Sequence, residues 1–150
     1  MKKVKVFLLS AFMLLVFTGC GTKTLECTNT MEYTGFSLDQ VVTIKFKNEV
    51  VNSLKMEINV FATNDTYRNS WDDVADTYDK MYGSFGEKEG VKVTVKNNAD
   101  KHEYLITMEA DLRKAKEADL EELSLSGIAG SKEKYKDVKK SAGAAGFTCK

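Results

Sequence analysis

Leu54, Met56, Ile58 and Val60 alternate with Lys55, Glu57 and Asn59. That period of two is the tightest constraint in the chain, because only an extended strand sends successive side chains to opposite faces. The pattern recurs. Val42, Ile44 and Phe46 alternate with Thr43, Lys45 and Lys47, and Val91, Val93 and Val95 alternate with lysine and threonine. His102, Tyr104, Ile106, Met108 and Ala110 share one face of a further strand. From Leu25 to Tyr33 the odd positions Leu25, Cys27, Met31 and Tyr33 are apolar, with Asn29 the polar exception. Strands with one wet face and one greasy face pair antiparallel and need cover on the greasy side. Asn48-Glu49 is a plausible two-residue hairpin turn, weaker than Asn-Gly, and Asn97-Asn98-Ala99-Asp100 is a second turn.

The cover is predicted to be helical. Trp71, Val74, Ala75, Tyr78, Met81, Tyr82 and Phe85 recur at spacings of three and four, an apolar stripe for a helix over 70–85. Ser70 with Asp73 makes a relaxed capping box at its start, and Gly83 or Gly86 ends it. The stripe reads as a core-facing surface rather than an aromatic ligand box. Helical composition returns over Asp111–Leu123, and a last helix capped by Ser131 carries Tyr135, Val138 and Ala142 after breaks at Gly127 and Gly130. The fold class predicted is α+β: an antiparallel β-sheet with about three helices, the main one packed on one sheet face. Residues 25–150 form a single domain.

The N-terminus carries an address. Lys2, Lys3 and Lys5 precede an apolar run from Val6 to Phe17, broken only by Ser10. This is the layout of a secretory signal. As a helix its 12 residues would span about 18 Å, short of a hydrocarbon core of about 30 Å, so a permanent transmembrane anchor is disfavoured. Thr18-Gly19-Cys20 resembles a lipobox, the cleavage site of bacterial lipoprotein precursors, with Phe17 in place of the usual Leu. The resemblance implies residues 1–19 as a lipoprotein signal peptide and a diacylglycerol on Cys20. Residues 20–24 would then be the lipidated N-terminus and a short spacer. Two acyl chains hold a protein to a bilayer stably where one holds it marginally.

Removal of residues 1–19 leaves 19 basic and 22 acidic side chains, a formal charge of −3. That near-balance predicts no nucleic-acid footprint and no polybasic membrane patch. The charged fraction, 29% with 10% aromatics, belongs to a globular chain rather than a disordered one. No proline is present, so the turns must rely on Gly, Asn, Asp and Ser.

With Cys20 lipidated, Cys27 and Cys149 remain, in the similar contexts Leu25-Glu26-Cys27-Thr28 and Phe147-Thr148-Cys149-Lys150. Export permits a disulfide between them, and Cys27–Cys149 is the pairing expected, with two short terminal strands side by side bringing the sulfurs together. The competing readings are free thiols or a metal site, the latter short of ligands with His102 as the single histidine. His102 reads as a solvated strand residue. Glu117, Asp119, Glu121 and Glu122 suggest a carboxylate pair but fit a solvated helix face better, since adjacent helical acids point apart.

This layout of lipobox, β-meander, amphipathic helix, second hairpin, short helices and terminal aromatic-Thr-Cys-Lys resembles small uncharacterised bacterial lipoproteins of the YehR-like kind. The resemblance implies an antiparallel sheet with helices on one face and carries over no activity. The function expected is a non-enzymatic binding or structural role on the outer face of the cell membrane or envelope. No catalytic residue, cofactor or metal is expected, and the partners are membrane lipid through Cys20 and an envelope protein or small ligand. The alternative is an envelope hydrolase using carboxylates. Against it stands the absence of G-x-S-x-G, H-E-x-x-H or a nucleotide loop.

Overall fold

Alternation along the chain becomes a seven-stranded sheet in the order β4-β5-β6-β3-β2-β1-β7, with every pairing antiparallel. The computed structural model describes residues 21–125 and 134–150. The N-terminal run, Cys20, Gly127, Gly130 and Ser131 lie outside the described residues. The strands are β1 (Thr22–Tyr33), β2 (Phe36–Lys47), β3 (Val50–Ala62), β4 (Glu87–Lys88), β5 (Val91–Asn98), β6 (Glu103–Asp111) and β7 (Thr148–Cys149). β1 begins at Thr22, so the expected spacer 20–24 is mostly strand.

One row shows how the register builds the core. Leu25 pairs with Ile44, Ile44 with Leu54, Leu54 with Ala110 and Ala110 with Val91, and all five are buried. Asn48 and Glu49 close the β2–β3 hairpin with φ of 54° and 67°, the doubly left-handed turn whose twist matches the flanking strands. Near this turn β3 carries a register shift: Phe46 faces Val51 while Lys45 faces Ser53. The extra residue flips parity, so Val51 and Leu54 are both buried although three residues apart.

The stripe over 70–85 predicts one helix, and the chain divides it. α2 spans Trp71–Tyr78 and a π turn spans Asp79–Gly83, while α1, Asp65–Asn69, precedes the stripe. Asn64 caps α1, its side chain accepting from the Tyr67 amide, while Ser70 stands at the N-cap of α2 without a side-chain capping bond. Ser70 Oγ instead donates back to the Thr66 carbonyl at 3.0 Å, so the expected capping box does not form. Trp71 and Ala75 belong to the same buried cluster as the strand side chains, while Met81 is 60% exposed.

The helix expected over Asp111–Leu123 shrinks to α3, Glu117–Glu122. Sheet pairing wins at its start: Asp111 belongs to β6, and its amide donates to the Gly90 carbonyl at 2.7 Å. α4 (Tyr135–Ala144) carries Tyr135, Val138 and Ala142, of which Val138 is buried. Gly146, at φ 89°, ends it by letting the Phe147 amide reach back to the Ala142 carbonyl.

β7 lies against β1 with Cys149 opposite Cys27, and the two form a disulfide. Glu26 and Lys150 exchange both backbone hydrogen bonds. Cys27 and Cys149 are therefore the adjacent non-hydrogen-bonded pair, the position where side chains approach most closely across an antiparallel ladder.

Candidate functional site

The outer face of the sheet carries Thr28, Thr30, Asp39, Val41, Thr43, Lys45, Lys55, Glu57, Thr107 and Glu109. Among its described side chains Ser37 alone is buried. Toward the Gly21 end this face sinks into a cavity of about 480 Å³. Lys45, Lys55, Lys88, Lys92 and Lys114 surround it, with Glu87, Glu109 and Asp111, and Thr43 and Ser53 add hydroxyls. The alternation places Lys45, Lys55 and Lys92 there by register, since Lys55 pairs across both Thr43 and Glu109 and Glu109 pairs with Lys92.

The cations of the groove differ in how far they are satisfied. Lys88 Nζ lies 3.0 Å from both Asp119 and Glu122, and those hydrogen bonds raise its pKa. Lys55 reaches Glu57 at 3.0 Å, and Lys92 approaches Glu87 at 3.9 Å. Lys45 has no ion pair among the described residues. Asp111 accepts from the Arg113 guanidinium at 2.7 and 2.9 Å. That hydrogen bonding, with the charges of Arg113 and Lys114, holds its carboxyl at about 2. Such a site offers ammonium and hydroxyl donors to an anion, with acids at the border to orient it.

Gly90 shapes this groove. Its φ is 76°, and a Cβ there would lie 2.4 Å from the Ala115 amide nitrogen and 2.7 Å from the Lys114 carbonyl carbon. Backbone cannot yield as a flexible side chain can, and the left-handed angle adds strain. Gly90→Ala should therefore cost about 2 kcal/mol or more. Denaturant unfolding checks this, and a loss below roughly 0.5 kcal/mol would show that the Lys114 segment moves aside freely.

An aromatic cluster lies toward the opposite end of the inner face. Tyr33 stacks on Phe36, which meets Tyr67 edge-on, and Tyr104 stacks on Tyr78. Trp71 Nε1 donates to Asn97 at 3.0 Å, and the indole meets the His102 ring edge-on. His102 is thus not simply solvated: it terminates the turn before β6 at φ 52° and is half-buried. Of the suspected carboxylates, Asp119 and Glu122 share Lys88. Among the described residues, no three metal-ligating side chains gather.

No family model and no curated protein matches this chain. Its fold resembles an NMR structure of a protein from Streptococcus pneumoniae TIGR4. The TM-score is 0.58 at 17% identity, over 100% of this chain and 98% of the other. At that identity the likeness concerns fold alone. The lysine groove was missed by inspection of net charge, and the signal that would have found it is the strand alternation itself.

Proposed function

We propose that this chain is a bacterial envelope lipoprotein of the YehR-like kind, held on the outer face of a membrane by diacylated Cys20, with a non-enzymatic binding or structural role. The observation that carries the reading is the Cys27–Cys149 disulfide, a bond that persists in oxidising compartments and is rare in the cytosol. It agrees with the secretory layout of residues 1–19. No helix among the described residues is long and apolar enough to cross a membrane. The hydrolase alternative gains no support from Asp119 and Glu122, whose carboxylates are engaged by Lys88.

Within this reading α2 and its π turn act as the cover of the inner sheet face. Burial of Trp71 and Ala75 supports it, as does the stacking of Tyr78 on Tyr104 with ring centroids 5.4 Å apart.

Mass spectrometry of the mature protein tests the anchor. The N-terminal residue should be Cys20 carrying a diacylglycerol, and Cys20→Ala should abolish lipid attachment and release the protein from the membrane fraction. An unmodified N-terminus at any other residue would end the proposal.

A further inference from the structure

Charge is distributed along the strand axis in a way that the near-zero total conceals. Strand register brings Lys47 opposite Thr22, and Lys45 opposite Thr24. The Gly21 carbonyl accepts from Asn48 at 2.8 Å, which fixes the start of the described chain beside the β2–β3 turn. Lys23 pairs with Glu49 and sits 5.7 Å over the Tyr135 ring. Glu49 also feels Lys134 and Lys136, and its carboxyl is held below the usual range by the Lys23 hydrogen bond first. On the outer face Lys45 meets Lys114 across the groove. Counted with the groove and the acids that pair with it, this end holds Lys23, Lys45, Lys47, Lys55, Lys88, Lys92, Lys114, Lys134 and Lys136, with Arg113, against Glu49, Glu87, Glu109, Asp111, Asp119, Glu122 and Asp137. The formal excess is three positive charges.

The other end is the reverse. Glu32, Asp65, Asp72, Asp73, Asp100 and Glu103 stand there against Arg68 and Lys101. Ten residues of β1 separate Lys23 from Tyr33, about 33 Å at ~3.3 Å per residue. A domain charged in this way turns its basic end toward an anionic surface and its acidic end away. Gly21, which follows Cys20 in the sequence, stands at the basic end, the end that a lipid on Cys20 would tether. Val50, 49% exposed, projects from the same hairpin as an apolar contact.

We infer that the Gly21 end of the sheet, including the lysine groove, is a docking surface for a bilayer bearing anionic phosphate headgroups. It seats the domain upright with the Tyr33 end turned outward. The inference rests on the lipoprotein reading for its tether but not for its chemistry. Headgroup phosphates meet Lys45, Lys47, Lys134 and Lys136, and the groove accommodates a headgroup between Lys45, Lys55 and Lys114. Net charge predicts no such patch. Topology assembles it from lysines scattered between positions 23 and 136.

Lysine footprinting tests this on the full mature protein reconstituted with vesicles of phosphatidylcholine, alone or mixed with phosphatidylglycerol. Acylation of Lys45, Lys47, Lys134 and Lys136 should slow about tenfold on anionic vesicles relative to neutral ones. Rates should recover at ~1 M salt, where the screening length falls to about 3 Å, while Lys96 and Lys101 stay unchanged throughout. The double variant Lys45→Glu, Lys47→Glu, with an unaltered melting curve, should lose protection at Lys134 and Lys136, which it does not touch. Equal rates on both vesicles with the protein floating on both would overturn the docking and leave the anchor standing. Failure to float on neutral vesicles would remove the anchor, and protection on anionic vesicles would then decide the docking alone. Unchanged protection in the double variant also overturns it.

Discussion

Cys149→Ser should destabilise the domain by about 3–5 kcal/mol and lower its melting temperature by roughly 10 °C or more. The bond closes a loop of 122 residues, and in the chain-entropy model such a closure removes more freedom from the unfolded chain than any shorter one would. β7 has only two residues, and its partners are β1 and α4, with Phe147 and Cys149 resting on the core. Without the covalent link so short an edge strand has little to hold it, since strand pairs of this size are marginal in water. The loss should therefore be local as well as global. Hydrogen exchange should reveal Lys150 and Glu26 amides opening first, because those two groups close the ladder beside the bond. Reduction with a thiol should reproduce the serine variant. A melting temperature unchanged in both would show that β7 docks by packing alone, and would withdraw the strongest argument for an oxidising compartment.

Most of the sheet is legible in the sequence, and the reason is physical. A half-buried strand has to alternate, so Leu54–Val60, Val42–Phe46 and Val91–Val95 reveal both their conformation and their inner face. The Cys27–Cys149 pairing is legible for a related reason: both cysteines share a strand-like context. What failed was boundaries and breaks. The stripe from Trp71 to Phe85 keeps helical spacing across the π turn, so periodicity cannot show where the hydrogen-bond ladder changes. α1 and its Asn64 cap are illegible because five residues with none buried show no apolar stripe. The Lys- and Glu-rich segment after Asp111 has helical propensity, yet pairing of Asp111 with the Gly90 carbonyl and with Ser53 extends the sheet into it; tertiary contacts override propensity of a few tenths of a kcal/mol per residue. The groove and the basic end were illegible to any count of charges. They exist only once register has placed Lys45 beside Ser53 and Asp111, and the β2–β3 turn beside Gly21.

Tyr104→Ala should cost about 3–5 kcal/mol, the range for removing a large buried aromatic. Tyr104 is 0% exposed and the bulkiest of the fully buried side chains. It is also where the helical segment and the sheet meet by three different contacts. Its ring stacks on Tyr78 of α2, its hydroxyl donates to Asp79 at the head of the π turn, and its backbone pairs with Val60 and Asn97 in the strands on either side. Burial, aided by the Asp79 carboxylate, pushes the phenol well above its ordinary pKa, so ultraviolet titration should find this phenol ionising well above the range of a free tyrosine. Tyr104→Phe separates the contributions. It keeps the ring and deletes the donor to Asp79, at a cost of about 1–2 kcal/mol, while α2 stays in place. If alanine costs little more than phenylalanine, the ring contributes almost nothing, and α2 is not the cover of the inner face. Trp71, Tyr78 and Tyr82 would then be free to meet a partner, and the aromatic stripe would be a binding surface instead of a core. A difference of about 2 kcal/mol or more between the two variants fixes the stripe as core and leaves partner binding to the outer face and the exposed Tyr33 end.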